Sequence, residues 1–200
     1  MRSIIETFVK EMIKTHKFQQ LDRTNQSSLI QDLMDKMEIT YSKCFPPNDE
    51  SEQLLIGEGV ENCVCKNLFS EIFLPTETSQ EMSQNRLVAK KITDYKSFLL
   101  PSHLELKPSR INTERLQQAC YQLEQLDQMK TPKGKLNLVI NSAKAISLML
   151  QETSVSGDPD GADMFFPTQI YAIFQLQSFD HLMSNLVYIR YFRGQTRLTG

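Results

Sequence analysis

Residues 131–150 read TPKGKLNLVINSAKAISLML, and this stretch decides the fold class. Thr131 is a residue type that caps helix starts, and Pro132 suits the first helical position because an N–H there has no helical partner. Apolar residues then recur at helical spacing: Leu136, Val139, Ile140, Ala143, Ile146 and Leu150. The stretch therefore predicts an amphipathic helix that begins at Pro132 and buries one face.

The same apolar period extends over almost the whole chain. It predicts further helices at about residues 1–17, 24–43, 52–73, 79–94, 112–129, 162–176 and 180–192. We expect Thr24 or Asn25 to cap the second of these, and Leu55 and Leu87 to face inward. Prolines interrupt the pattern, most clearly at Pro46. No period-two strand pattern is present, so the predicted fold is an all-α multi-helix bundle.

Composition and charge exclude several classes of protein. The 200 residues carry a formal net charge of -2, which predicts no basic face for nucleic acid. No apolar stretch approaches the ~20 residues of a spanning helix, and charges interrupt the N-terminal apolar residues. We therefore expect a cytoplasmic protein without direct membrane insertion. Cys63 and Cys65 lack the further ligands of a tetrahedral site, so we predict no metal.

Enzyme motifs are absent from the sequence. Neither the phosphate-binding GxxxxGK[ST] nor the hydrolase GxSxG and HExxH occurs. Three aspartates suggest a calcium loop, but counting from Asp158 puts Asp163 and Gln169 where the loop needs glycine and glutamate. We predict a protein that performs no covalent chemistry and needs no cofactor.

Four ordered motifs in the last third carry a family resemblance. TPKGKL at 131–136, GADMFFP at 161–167 followed by Ile170-Tyr171, LMSNLVYIRYFR at 182–193, and RLTG at 197–200 resemble the signatures of Vps-nine-type domains. Residues 61–73 are similar, less closely, to a helix of Rabex-type exchange factors. The resemblance thus covers about residues 52–200, the predicted Vps-nine-like domain, and residues 1–45 would form a helical layer before it.

The resemblance implies a function and a set of site residues. Vps-nine domains promote GDP release from Rab-five-type small GTPases in endosomal trafficking, so we expect a guanine-nucleotide exchange factor recruited to endosomes. Asp163 matches the family's acidic finger, which reaches the phosphate-loop lysine of the GTPase. Pro167, within the first helical turn, and Tyr171 match partner-binding positions. Asn185 matches another, although it is equally suited to a hydrogen bond inside the domain.

Three departures from the family pattern stand beside these matches. Met164 replaces the family's usual second aspartate, and Phe166 replaces a leucine. The sequence also stops at Gly200, before the family's G-Y-Y-x-T-N/S helix, so we expect a domain lacking its last helix. On that expectation, residues 1–200 alone would show low or absent exchange. The alternative is an exchange-inactive helical scaffold or GTPase-binding fragment.

Overall fold

A computed structural model of the chain describes residues 2–8, 11, 18–73, 79–154, 161–177 and 180–198. Within these ranges the secondary structure is helical and no strand occurs, which confirms the all-α prediction. The α-helices are α1 (Arg2–Phe8), α2 (Arg23–Cys44), α3 (Glu50–Asn67), α4 (Phe69–Ile72), α5 (Gln80–Lys96), α6 (Thr113–Glu124), α7 (Pro132–Glu152), α8 (Gly161–Gln175), α9 (Leu182–Phe192) and α10 (Gln195–Leu198).

The helix starts follow local capping chemistry. Helix α7 begins at Pro132, as predicted. The prediction of Thr24 or Asn25 as the cap of α2 is wrong, because the Asp22 carboxylate accepts the backbone N–H of Asn25 at 2.8 Å. Residue 22 precedes the apolar period, so periodicity alone placed the start too late.

The helix predicted over residues 52–73 is two helices in the structure. Helix α3 ends at Asn67 and the short α4 follows Leu68, whose N–H still donates to the Val64 carbonyl at 3.0 Å. Leu68 and Ile72 are both buried. The break therefore changes the direction of the chain, while the apolar side chains on both sides of it stay buried.

The chain divides into two compact units. The first comprises residues 1–82, 130–133 and 184–200, and the second comprises residues 83–129 and 134–183. The division into a 1–45 helical layer and a 52–200 domain concerns segments of sequence and stays a prediction.

The core of the first unit is built around Tyr188. Its ring packs edge-on against Phe69 and Phe73, with centroids 5.8 and 5.5 Å away. Its hydroxyl donates to the Lys130 carbonyl at 3.1 Å, which satisfies the one polar atom of the side chain. Buried apolar residues of α2, α3 and α4 complete the cluster: Ile30, Leu33, Met34, Met37, Val60, Val64, Cys65, Leu68 and Ile72.

The core of the second unit joins α6, α7 and α8. Its buried members are Leu116, Ala119, Cys120, Leu123, Leu126, Ala145, Ile146, Met149, Leu150, Ala172 and Leu176. Lys135 is also buried, and its ammonium donates to the Leu126 carbonyl at 2.5 Å. Lys135, the second lysine of the TPKGKL motif, thus stabilises the turn that follows α6.

Two residues predicted to face inward are exposed instead. Leu55 is 67% exposed on α3, and Leu87 is exposed on α5. On α5 the buried positions include the polar Glu81 and Asn85. Arg23 donates to Glu81 at 3.0 Å, and Asn85 accepts the Met183 N–H at 3.0 Å, so partners distant in sequence satisfy both buried groups.

Candidate functional site

The GADMFFP motif forms the first two turns of α8. One side of this helix faces the core of the second unit, where Thr168, Ala172 and Leu176 are buried. Met164 and Phe165 pack against the same core. The helix is therefore anchored along one face, and its remaining residues stand on a rigid support.

The opposite side of α8 is exposed and mostly apolar. Asp163, Phe166 and Ile170 follow each other at spacings of three and four residues, which places them on one helical face. Phe166 is 72% exposed and Ile170 is 44% exposed, and Asp163 is exposed at the N-terminal end of the row. We call Asp163, Phe166 and Ile170 the outer face of α8. It combines a carboxylate with an apolar strip that a second protein could cover.

Pro167 lies in the second turn of α8, and the prediction of a first-turn position is wrong. The helix begins at Gly161, so Pro167 is its seventh residue. Proline has no N–H, and the Asp163 carbonyl therefore receives no helical hydrogen bond from the residue four positions on. The Thr168 hydroxyl donates to the neighbouring carbonyl, that of Met164, at 2.7 Å, and so does not replace the bond missing at Asp163. The proline thus alters the turn that carries Asp163.

The other two predicted partner-binding residues are not members of the outer face of α8. Tyr171 is half-buried and packs against the core of the second unit. Asn185 belongs to the first unit, where it is 1% exposed. Partner contact by these two side chains stays a prediction, and the burial of Asn185 favours a hydrogen bond inside the fold.

A cleft of about 730 Å³ adjoins the outer face of α8 at Phe166. Its lining comprises Arg110, Ser147, Leu150, Gln151, Ser154, Phe165 and Phe166. Arg110 is buried and donates to the Leu150 carbonyl at 3.1 Å, near the end of α7. A partner that packs on Phe166 would therefore also contact a concave surface, and shape complementarity there would contribute to recognition.

An ionic cluster in the first unit fixes the chain after α9. Arg193 donates to Glu58 at 2.7 Å and to Glu61 at 2.9 Å, and Arg197 donates to Glu38 at 3.2 Å. The hydrogen bond from Arg193 holds the pKa of Glu58 below its usual value. The members of the cluster lie far apart along the chain, so no local pattern in the sequence indicates it.

The exposure of Phe166 and Ile170 was also missed from the sequence. Their spacing of four residues is helical, and apolar spacing normally marks a buried face. Because α8 has apolar residues on both sides, only the packing shows which side is covered.

Among the described residues, no three histidine, cysteine, aspartate or glutamate side chains are placed to hold a metal ion. None of the described helices is long and apolar enough to cross a membrane.

Comparisons with known proteins agree with the motifs. Residues 116–200 match the model of the vacuolar sorting protein 9 (VPS9) domain. The chain is 28% identical over 194 residues to vacuolar protein sorting-associated protein 9A of Oryza sativa subsp. japonica, covering 95% of this chain and 40% of that protein. It is 26% identical over 196 residues to the Arabidopsis thaliana protein of that name, covering 96% of this chain and 37% of that one.

A fungal protein is similar over a shorter stretch. Vacuolar protein sorting-associated protein vps901 of Schizosaccharomyces pombe is 26% identical over 153 residues, covering 72% of this chain and 26% of that protein. The chain thus spans at most 40% of the length of these three relatives.

Proposed function

Because residues 116–200 match the model of the vacuolar sorting protein 9 domain, we propose that the chain promotes GDP release from a Rab-type small GTPase. The finer proposal is a guanine-nucleotide exchange factor for Rab-five-type GTPases that acts in endosomal trafficking. The reaction changes the occupancy of a binding site and involves no covalent step.

The outer face of α8 is the observation that carries this proposal. An exposed carboxylate at Asp163 stands beside two exposed apolar side chains, Phe166 and Ile170, on a helix anchored by its other side. A surface of this kind suits a partner with an apolar patch and a cation near its edge. The nucleotide site of a GTPase has both, since its mobile switch segments lie next to the phosphate-loop lysine.

The role of Asp163 in this proposal is competition for a lysine. In a GDP-bound GTPase the phosphate-loop lysine contacts the nucleotide phosphates. The Asp163 carboxylate would take over that charge-assisted contact, while Phe166 and Ile170 hold the GTPase in place through apolar burial. When the phosphate-loop lysine is bound to Asp163, the nucleotide loses a contact and dissociates faster.

Exchange also requires a preference for the right state of the GTPase. A factor accelerates release only if it binds the nucleotide-loosened form more tightly than the GDP-bound form. Asp163 supplies such a preference, because the lysine it needs is occupied by phosphate when nucleotide is bound. The prediction is therefore a difference in affinity between nucleotide states.

The experiment measures binding of this chain to a Rab-five-type GTPase in nucleotide-free, GDP-loaded and GTP-loaded form. We expect the tightest binding to the nucleotide-free form. Asp163→Asn should weaken it by about 10- to 100-fold, which corresponds to the ~1.5–3 kcal/mol of a charged hydrogen bond. Asp32→Asn is the matched control, since Asp32 is an exposed aspartate on α2.

Two results would contradict the proposal. Equal affinity for all nucleotide states would indicate the alternative, a helical scaffold that binds without catalysing exchange. An unchanged affinity of Asp163→Asn would remove the competing carboxylate from the mechanism. Release of a fluorescent GDP from a panel of Rab GTPases tests the finer proposal, which expects the fastest release from Rab-five-type members.

A further inference from the structure

A second apolar surface lies on the first unit, between α2 and α3. A groove of about 290 Å³ is lined by Tyr41, Leu55, Ile56, Gly59 and Val60, and we call it the α2–α3 groove. Leu55 forms an exposed wall. Phe45 extends the apolar surface beyond Tyr41, because it is 62% exposed and the two ring centroids are 5.0 Å apart.

Nothing in the described structure requires a glycine at position 59. A glycine in a helix interior is less favourable than alanine by about 1 kcal/mol. Gly57 on the same helix has a reason for being glycine, since a Cβ there would collide with the Arg197 guanidinium. A Cβ at Gly59 would meet no described atom within 4 Å. Gly59 therefore keeps the groove open, which has value if something else approaches closely.

Carboxylates cluster where α3 begins, at one end of the groove. Asp49 caps the helix, and Glu50 and Glu52 lie in its first turn. Glu52 precedes Leu55 by three residues, so it shares a helical face with the groove wall. Hydrogen bonds from Asn48 lower the pKa of Glu52, and a backbone hydrogen bond from Glu52 lowers the pKa of Asp49. This end of the groove is therefore negatively charged near neutral pH.

The same face of α3 has a different character beyond Gly59. Asn62 follows Gly59 by three residues, and it is exposed and uncharged. Lys66 lies four residues further along this face and is also exposed. The charge along the groove face thus changes from negative at Glu52 to positive at Lys66. The two ends of this surface therefore carry opposite charge.

We propose that the α2–α3 groove binds an amphipathic helix of a partner protein, with apolar side chains over Gly59 and a basic end beside Glu52. The size of the groove suits a few aliphatic side chains from one helical face, which is the usual way a helix occupies a groove. The acidic end selects basic residues at the corresponding end of the partner helix. The α2–α3 groove shares no residue with the outer face of α8.

The test uses a fluorescein-labelled peptide of about 18 residues, or five helical turns. It consists of leucine, glutamine and lysine, with all leucines on one face and the lysines confined to the last turn. One control has the same composition without a continuous apolar face, and a second has glutamate in place of lysine. Fluorescence anisotropy with the full chain measures the affinities. We expect the amphipathic lysine peptide to bind at least about tenfold more tightly than the first control.

Substitutions in the groove then locate the binding site. Gly59→Leu should weaken binding about tenfold by filling the groove, and thermal unfolding should show that the variant is folded and no less stable. Leu54→Ala is the matched control, because Leu54 is exposed on α3 and does not line the groove. It should leave the affinity for the peptide unchanged.

Substitutions of carboxylates test the charge preference. Glu52→Gln removes the charge while it keeps an oxygen that can accept the hydrogen bonds from Asn48. It should weaken binding of the lysine peptide by about two- to fivefold, the range of an exposed ion pair. Glu50→Gln makes the same change one turn before Leu54, away from the groove, and should have a smaller effect.

Several results would overturn the proposal. The groove is not the site if Gly59→Leu binds as well as the unmodified chain, or if Leu54→Ala weakens binding equally. A glutamate peptide that binds as tightly as the lysine peptide would contradict the basic end of the partner. Self-association that Gly59→Leu abolishes would identify a second copy of the chain as the occupant. Binding to anionic vesicles that requires Leu55 would identify a membrane instead.

Discussion

Arg193 donates a guanidinium N–H to the Glu61 carboxylate at 2.9 Å, and both side chains are buried. The backbone N–H of Gly194 donates to the other oxygen of Glu61 at 3.3 Å. Arg193 also pairs with Glu58. The pair thus connects the chain after α9 to α3 through charges that have little access to water.

Arg193→Leu should destabilise the protein strongly. Removal of Arg193 leaves the buried Glu61 carboxylate with only the Gly194 N–H and the longer contact to the Arg197 guanidinium at 3.6 Å. Loss of one member of a buried ion pair costs about 3–5 kcal/mol. We expect a decrease of that size in the free energy of unfolding, measured by urea denaturation at pH 7. Arg190→Leu is the control, since Arg190 is exposed on α9, and it should change stability by no more than about 0.5 kcal/mol.

The double variant Arg193→Leu, Glu61→Leu separates a charge effect from a packing effect. Removing both charges should restore part of the lost stability, because no uncompensated carboxylate remains at position 61. If the two losses simply add, the ion pair is not the cause of the destabilisation.

Lys135 makes stability depend on pH in the alkaline range. Burial lowers the pKa of this lysine from 10.5 to about 8. Between these two values the folded protein holds fewer protons at Lys135 than the unfolded chain. The contribution of Lys135 to the free energy of unfolding therefore rises with pH from about 8 to 10.5.

The measurement compares the unmodified chain with Lys135→Met at several pH values. The difference in unfolding free energy should move in favour of the lysine protein as pH rises, by up to roughly 3 kcal/mol. Lys144→Met makes the same chemical change at an exposed position of α7 and corrects for the loss of one positive charge. A Lys135→Met difference that is constant with pH would contradict the prediction.

Pro167→Ala should raise stability and weaken GTPase binding. A proline in a helix interior costs up to ~3 kcal/mol, and alanine would restore the hydrogen bond to the Asp163 carbonyl. The same change would straighten the turn that positions the Asp163 carboxylate. Urea denaturation and affinity for the nucleotide-free GTPase measure the two effects. If binding is unchanged while stability rises, the proline has no part in positioning Asp163.

Helix positions were predictable from the sequence because apolar spacing is local. The start of α7 at Pro132 and the extents of α2 and α8 follow from that spacing and from proline placement. Which face is covered depends on partners far along the chain. The exposure of Leu55 was not predictable, because nothing in the local pattern distinguishes one apolar side of α3 from the other.

The candidate site was predictable to a similar degree. The motif around Asp163 could be recognised as a sequence, and its helix could be expected. The exposure of Phe166 and Ile170 could not, because α8 has apolar residues on both sides and only tertiary packing selects one. Buried polar groups such as Glu81 were unpredictable for the same reason, since Arg23 lies 58 residues away in sequence.

Phe166→Ala should weaken GTPase binding without destabilising the fold. The ring is mostly exposed, so its removal leaves no cavity in the core and should change the free energy of unfolding by no more than about 0.5 kcal/mol. If a GTPase covers the ring, as proposed, truncation removes an aromatic anchor that typically contributes about 2 kcal/mol or more, and affinity for the nucleotide-free form should fall by at least about tenfold.

Phe45→Ala is the control for this experiment, because Phe45 is similarly exposed but is not part of the outer face of α8. It should leave GTPase affinity unchanged. An equal loss in both variants would indicate a general effect of exposed aromatic residues, and no loss in Phe166→Ala would place the GTPase elsewhere than on the outer face of α8. A loss confined to Phe166→Ala, together with the loss expected for Asp163→Asn, would assign the carboxylate and the apolar strip to one binding surface.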